Sequence, residues 1–352
     1  MLPMQDLIQT QKQTFQLGPF QIEHPFILAP MAGITNSPYR RLMRKMQSAL
    51  MVSELISANG LVHASERTFR MLHFHNDERV LGIQIFGEDI QNLVAACKKI
   101  EEIGADFIDL NLGCPVPKIV KKGAGSAMCR NPQQLGRVLE AMVQSVKIPI
   151  TIKIRTGWSD TEKNALENIR VAADAGVSWV AVHGRTRAQG YSGEADWDFI
   201  GNLKAKSSLP IIGNGDLSTP EKALKAYKTY GVDAVMIGRG ALRNPFIFEQ
   251  AKSLLETGHY FETKIDQYID FMNQQQSLLE ESFDSKMAVI HARKFIAWYA
   301  AGFPGCHEFR KKVFQIPESQ TLWNDAKDFF SRRIHLRTNA FLNQPFLMGG
   351  HG

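Results

Sequence analysis

Eight short apolar runs recur at a spacing of about thirty residues, and no other feature of the chain narrows its fold as much. They are Phe26–Ala29, Met51–Ile56, Leu81–Phe86, Phe107–Leu112, Ile150–Arg155, Trp179–His183, Pro210–Asn214 and Ala234–Gly238. Helix signals fill the intervals: Asp89 ahead of Leu93 to Ile103 and Gly104, Asn131-Pro132 ahead of Leu135 to Val146, and Ser218-Thr219-Pro220 ahead of Ala223 to Tyr230. Continuous Val/Ile/Leu runs suit strands buried on both faces of a parallel sheet. Eight strand-helix units therefore predict an α/β fold closed as a (β/α)8 TIM barrel. An open doubly wound sheet would call for an early G-x-G-x-x-G turn, and the first run ends instead in Ala29-Pro30-Met31-Ala32-Gly33.

Beyond Phe248 the strand signals stop. Long helical patterns rich in Gln, Lys and aromatic residues predict a small all-helical C-terminal domain. The expected divisions are an N-terminal extension over 1–17, the barrel over 18–255, a linker over 256–264 around Gly258, the helical domain over 265–342 and a flexible tail over 343–352. A chain of 352 residues with 44% hydrophobic and 22% charged residues has the length and composition for both.

Four cysteines, Cys97, Cys114, Cys129 and Cys306, show neither C-x-x-C pairing nor a zinc spacing, which predicts reduced thiols and a cytoplasmic setting. Residues 1–18 lack a basic segment followed by an apolar run, and no later stretch suits a bilayer span, so no membrane partner is expected. His63, His73 and His75 cluster in sequence without carboxylates at ligand spacing, and no metal is expected.

The formal charge of +6 is concentrated. Lys286 to Arg337 holds ten Lys/Arg against four Asp/Glu, and the remainder is balanced. A basic helical segment points to a polyanionic partner, with a solvated basic face as the plainer alternative.

Barrel chemistry collects at the C-terminal ends of the strands. Those ends carry Pro30-Met31-Ala32, Glu54, Gln84, Asn111 with Cys114, Lys153 with Arg155, His183 with Arg185, Asn214-Gly215-Asp216 and Gly238-Arg239-Gly240. Singly, each has an ordinary reading: Gln84 as a loop cap, Lys153 snorkelling, His183 in the core, Cys114 as a small buried hydrophobe. Together they converge on one mouth. The glycine-rich loops after the last two strands suit a phosphate held on backbone amides. Lys153 set against an anionic ring, with Gln84 and Asn111 as amide partners, suits FMN.

Six ordered motifs, L-A-P-M-A-G-I-T-N-S-P-Y-R (Leu28 to Arg40), N-L-G-C-P-V-P-K (Asn111 to Lys118), K-G-A-G-S-A-M (Lys122 to Met128), K-I-R-T-G-W (Lys153 to Trp158), H-G-R-T-R (His183 to Arg187) and G-N-G-D (Gly213 to Asp216), carry a resemblance. Over about residues 18 to 335 the chain resembles the tRNA-dihydrouridine synthases, most nearly their bacterial B-type subgroup. The resemblance implies an FMN-dependent barrel with a helical RNA-binding domain, which reduces the C5=C6 bond of selected tRNA uridines with NADPH or NADH as reductant.

By the same resemblance, Pro30, Met31 and Ala32 line the flavin, and Gln84 and Lys153 address its ring. Asn214, Gly215, Asp216, Gly238 and Arg239 hold the ribityl phosphate, and Asn111 and His183 share the flavin and substrate pocket. Cys114 is the implied proton donor to C5 after hydride from reduced FMN reaches C6. That role wants a neutral thiol, and Lys118, Lys121 and Lys122 nearby pull the other way unless they face RNA phosphate or solvent. Gly123 and Gly125 would let Lys118 to Met128 act as a lid over a flipped base. Asn36, where aspartate is common in the family, and Phe295, where close relatives carry histidine, depart from its pattern.

In the C-terminal segment, helical spacing groups Lys286, Arg293 and Lys294 in one sector with Phe295, Trp298 and Tyr299 opposite, and Arg310, Lys311 and Lys312 form a second basic patch. Lys286, Arg293, Lys294, Arg310 and Lys311, with Lys118 and Lys121 of the barrel, are the expected contacts to tRNA phosphates while the aromatic side packs, and a monomer is expected. Two competing readings are an FMN barrel acting on a free pyrimidine, as relatives of dihydroorotate dehydrogenase do, and a tRNA-binding protein without catalysis.

Overall fold

The computed structural model describes residues 14–63 and 65–336, so the expected tail over 343–352 and most of the expected N-terminal extension lie outside the described residues. A short antiparallel hairpin, β1 (Phe15–Leu17) and β2 (Phe20–Ile22), precedes the parallel strands. These are β3 (Phe26–Leu28), β4 (Met51–Val52), β5 (Ile56–Ser57), β6 (Leu81–Phe86), β7 (Phe107–Leu112), β8 (Ile150–Arg155), β9 (Val180–His183), β10 (Ile211–Asn214) and β11 (Ala234–Ile237). Neighbours pair in parallel, β11 returns to β3, and β4 pairs with β6, so the sheet closes on itself. With β4 and β5 as two halves of one strand, this is the eight-stranded barrel that the apolar spacing predicts.

The second strand departs from its expected continuous span, Met51–Ile56, for a local reason. Ser53 donates its N–H to the Gly82 carbonyl at 2.9 Å, and its hydroxyl oxygen accepts the Gln84 N–H at 2.9 Å in place of a backbone partner. Glu54 is thereby turned out of the ladder to accept the Gly33 N–H at 2.9 Å, at the mouth of the barrel.

The capping residues act as their types predict. Asp89, Asn131 and Thr219 each accept a first-turn N–H of the helices Ile90–Glu102, Pro132–Ser145 and Pro220–Tyr230. Outward residues of β7 such as Ile108, Leu110 and Leu112 are buried beneath this ring of helices. Inward, alternation runs Phe107, Asp109, Asn111 on β7 and Thr151, Lys153, Arg155 on β8, so one polarity step separates the floor from the mouth.

The floor is aromatic. Phe107 packs edge-on to Trp179 at 4.9 Å between centroids, and Phe20 of the hairpin lies 6.0 and 6.1 Å from the two. Gly82 makes room for it: a Cβ there would fall 2.1 Å from the Phe107 ring.

Among the described residues four α-helices follow, Ile265–Ser282, Ser285–Tyr299, Cys306–Val313 and Ser319–Ser331. They dock on the barrel through Tyr39 stacked on Phe295 at 5.0 Å, through Phe246 against Tyr268 and Phe271, and through Arg41 with Glu281 at 3.0 Å. Phe295 is therefore an interface residue, and Asn36 is the cap that accepts the Tyr39 N–H at 3.1 Å.

Gly82→Ala should cost about 1–3 kcal/mol in urea denaturation through overpacking against Phe107, and Phe107→Leu in the same chain should restore part of it. An unchanged midpoint in the single variant would show that the floor is not close-packed there.

Candidate active site

Cys114 sits on the turn that leaves β7, half-buried. Asn111 Oδ1 accepts the N–H of Cys114 at 2.9 Å and that of Gly113 at 3.3 Å. From the other side Ser126 donates both its hydroxyl, at 2.9 Å, and its N–H, at 3.3 Å, to the Cys114 carbonyl. Gly125, at φ +60°, lets the segment pass this closely, since a Cβ would lie 3.1 Å from that carbonyl oxygen.

Burial pushes the Cys114 thiol above its usual range, against a hydrogen bond at Val116 and the charge of Arg155. A raised pKa keeps the thiol neutral at physiological pH. Lys118, Lys121 and Lys122 are exposed, and the cation felt at the sulfur is Arg155.

Below the turn runs a polar chain. Asn111 Nδ2 donates to Gln84 Oε1 at 2.9 Å, Gln84 Nε2 donates to Asp109 Oδ2 at 2.7 Å, and Thr151 Oγ1 donates to Asp109 Oδ1 at 2.7 Å. Burial pushes the Asp109 carboxyl upward, opposed by those bonds and by the charge of Lys153.

Across the mouth, Lys153 Nζ donates to Asn214 Oδ1 at 3.0 Å, and Asn214 Nδ2 donates to the Met236 carbonyl at 2.7 Å. Burial and the neighbouring Arg155 lower the Lys153 pKa to about 8. His183 is held well below its usual range by burial and by Arg155, Lys153, Arg185 and Arg239, so its imidazole is neutral. Arg185 forms a two-pronged pair with Asp216, at 2.9 and 2.8 Å, and Arg239 lies 3.6 Å from the same carboxylate. Arg155 donates to the carbonyls of Gly113, Thr186 and Gly190, at 2.8, 3.0 and 2.8 Å, and burial lowers its pKa to about 10.

The two glycine loops form a cradle. Gly215, at φ +134°, approaches so closely that a Cβ would meet Ala195 at 2.5 Å and the His183 ring at 3.2 Å. Gly238 faces Ala29 and Met31, which a Cβ would meet at 3.5 and 3.6 Å. Pro30 and Met31 are half-buried beside it and Ala32 is exposed. Cations drawn into low dielectric beside a glycine-lined recess match an anionic ligand such as a phosphate ester, and the amides of Gln84 and Asn111 match a planar polar ring.

The residues expected at the mouth are thus gathered there. Arg155, read in the sequence beside Lys153, is among them. One further residue joins them, Tyr191, whose only signal is an aromatic between Gly190 and Gly193; its ring lies 4.6 Å from the Arg239 guanidinium and 5.6 Å from that of Arg155.

The expected RNA contacts fall into separate settings. Lys286 and Arg310 are exposed, and Lys311 is exposed beside Glu308 at 3.0 Å. Arg293 instead donates twice to the Ile316 carbonyl, at 3.1 and 2.5 Å, tying its helix to the loop between Cys306–Val313 and Ser319–Ser331. Lys294 is half-buried, its ammonium 3.5 Å from the Gly33 carbonyl and near Glu54, so it meets the first barrel loop. His73 and His75 pair through Nε2 at 3.2 Å, and no group of three or more His, Cys, Asp or Glu is placed to hold a metal among the described residues.

A closed parallel barrel with a cation-rich, glycine-lined mouth and a neutral thiol on a strand-end turn is the framework of a barrel oxidoreductase. Residues 27–334 match the family described as dihydrouridine synthase (Dus), and the chain belongs to that family of flavin oxidoreductases. It is 38% identical over 320 residues to tRNA-dihydrouridine synthase B of Pseudomonas putida, covering 90% of this chain and 95% of that one. It is 36% identical over 318 residues to a probable tRNA-dihydrouridine synthase of Rickettsia conorii, covering 90% and 96%. Among solved structures, histamine dehydrogenase from Rhizobium sp. 4-9 shares the fold with a TM-score of 0.58 at 13% identity, over 93% of this chain and 65% of that chain.

Proposed function

We propose that the protein reduces the C5=C6 bond of specific tRNA uridines to 5,6-dihydrouridine, with FMN as cofactor and NADPH or NADH as the source of electrons. The observation that carries this is the neutral, half-buried thiol of Cys114 next to Arg155 at a cation-lined barrel mouth whose glycine loops suit a phosphate ester, in a chain of the dihydrouridine synthase family. FMN, when bound, supplies the hydride that reaches uracil C6. Asn214, Gly215, Asp216, Gly238 and Arg239 would hold its phosphate, and Pro30, Met31, Ala32, Gln84, Asn111, Lys153 and His183 would surround its ring.

Cys114 Sγ keeps its proton at neutral pH and donates it to C5 of the uracil. The thiolate left behind faces Arg155, whose charge opposes the burial that raises the thiol pKa. Lys153, protonated below about pH 8, sets a positive charge where negative charge gathers on a reduced ring. The Lys118 to Met128 segment, pinned to Cys114 through Ser126, acts as a cover over a base extruded into the mouth.

In this reading barrel and helical domain meet near Gly258, a left-handed helix cap, and the protein works as a cytoplasmic monomer. Lys286, Arg310 and Lys311 contact tRNA phosphates, Lys118 and Lys121 flank the entering strand, Lys294 bridges the two parts, and Arg293 braces the helical domain.

Cys114→Ala should retain FMN and oxidise NADPH, yet form dihydrouridine at a rate lower by about a hundredfold or more, because only proton donation is lost. Normal product formation would sink the assignment. Replacing Lys286, Arg310 and Lys311 with alanine should weaken tRNA binding and flatten its salt dependence by about one unit of slope for each phosphate no longer neutralised. With an unchanged slope, those residues would be solvated surface only.

A further inference from the structure

We infer that Asp109 is a positioning residue for the thiol: its inner oxygen fixes the direction of an amide relay that ends on the backbone N–H of Cys114. Asp109 lies one layer beneath the mouth, inside the barrel and 3% exposed, directly opposite Gln84 in the β6–β7 register. Asp109 Oδ2 can only accept there, so Gln84 has to present its NH2 to it, at 2.7 Å. Gln84 Oε1 is then left to accept from Asn111 Nδ2, and Asn111 Oδ1 is left to accept from Gly113 and Cys114.

Each amide in this chain has nearly the same shape either way round. From above, the N–H groups of Gly113 and Cys114 select the same orientation, since a flipped Asn111 would aim its NH2 at them. Without an oxygen at Asp109 that orientation leaves the buried Gln84 NH2 with no acceptor and the reverse one leaves the N–H groups of the turn with none, so either way the anchor of the Gly113–Cys114 turn is weakened by about one hydrogen bond.

The direction does not depend on Asp109 being ionised. A proton on Oδ1 is accepted by Thr151 Oγ1, whose own hydroxyl can turn to the Ile108 carbonyl at 3.4 Å, and Oδ2 still accepts from Gln84. The same exchange lets an asparagine at 109 keep its oxygen toward Gln84 with its NH2 toward Thr151. The relay therefore needs an oxygen at this position and does not need a charge.

The consequence rests on the reading of Cys114 as the acid only where turnover is concerned, and a two-armed experiment keeps the two apart. In flavin-free protein, alkylation by iodoacetamide is followed separately at Cys114 and at Cys306, the other half-buried thiol, by peptide mass spectrometry. Asp109→Leu should raise the Cys114 rate about tenfold, the size of one lost hydrogen bond, with Cys306 unchanged, and Asp109→Asn should stay within about threefold of the parent. A parent-like rate in Asp109→Leu, or equal acceleration in both variants, overturns the relay. If Asp109→Leu also exposes Cys306 and so fails to fold, Gln84→Met severs the chain one link higher: acceleration confined to Cys114 supports the relay, and the parent rate refutes it. In flavin-loaded enzyme, Asp109→Leu should lower kcat about tenfold with little change in KM for tRNA. Faster alkylation without a loss of kcat would leave the relay standing and remove Cys114 from the role of acid.

Discussion

Lys153, Arg155, Arg185 and Arg239 are gathered in one low-dielectric mouth, where burial lowers the pKa of Lys153 to about 8 and that of Arg155 to about 10. Closure of the barrel makes this crowding unavoidable. Eight parallel strands bring every terminal inward residue to the same end, and the sequence places Lys153 and Arg155 on β8, Arg185 just past β9 and Arg239 just past β11. Arg185 and Arg239 share Asp216, whereas Lys153 and Arg155 are held by neutral oxygens, so the mouth keeps positive charge for a ligand. Dryness raises the thiol against the pull of Arg155, and dryness and the cations together depress the imidazole of His183.

The opposite end answers a different demand. Phe20, Phe107 and Trp179 fill the floor, with Gly82 yielding the space, so the barrel is sealed below and open above. The helical domain is docked beside the opening, where Tyr39 stacks on Phe295 and Lys294 reaches the Gly33 carbonyl. A substrate held by the helices would thus be presented near the loop that carries Pro30 to Gly33. In the proposed function, packed surface would join substrate binding to chemistry and give the basic C-terminal segment a place in the reaction without a residue in the site.

Much of this was legible in the sequence because it is periodic. Apolar runs about thirty residues apart define the barrel, and polar residues closing those runs define its mouth. Legibility fails where an interaction depends on tertiary geometry. A helical wheel groups Arg293 with Lys286, but Arg293 is turned to the Ile316 carbonyl, a partner from a distant segment. The break between β4 and β5 is invisible as well, since Met51 to Ile56 reads as one strand until the Ser53 hydroxyl takes a ladder position. Tyr191 carries no period at all and is found only through the guanidinium groups beside it. Asp109 is plain in the motif, yet its part in orienting two amides emerges only from the pairing of β6 with β7.

The central claim is that electrons held at the mouth are passed to a uridine within tRNA. It is tested most directly by reducing the flavin-loaded protein with NADPH in the absence of oxygen, adding unmodified tRNA, and following the visible flavin band together with dihydrouridine in the recovered RNA. The predicted result is return of the oxidised band in proportion to the dihydrouridine formed, with free uridine or orotate leaving the flavin reduced. Reoxidation by a free pyrimidine but not by tRNA, or a protein that takes up no flavin, would contradict the account.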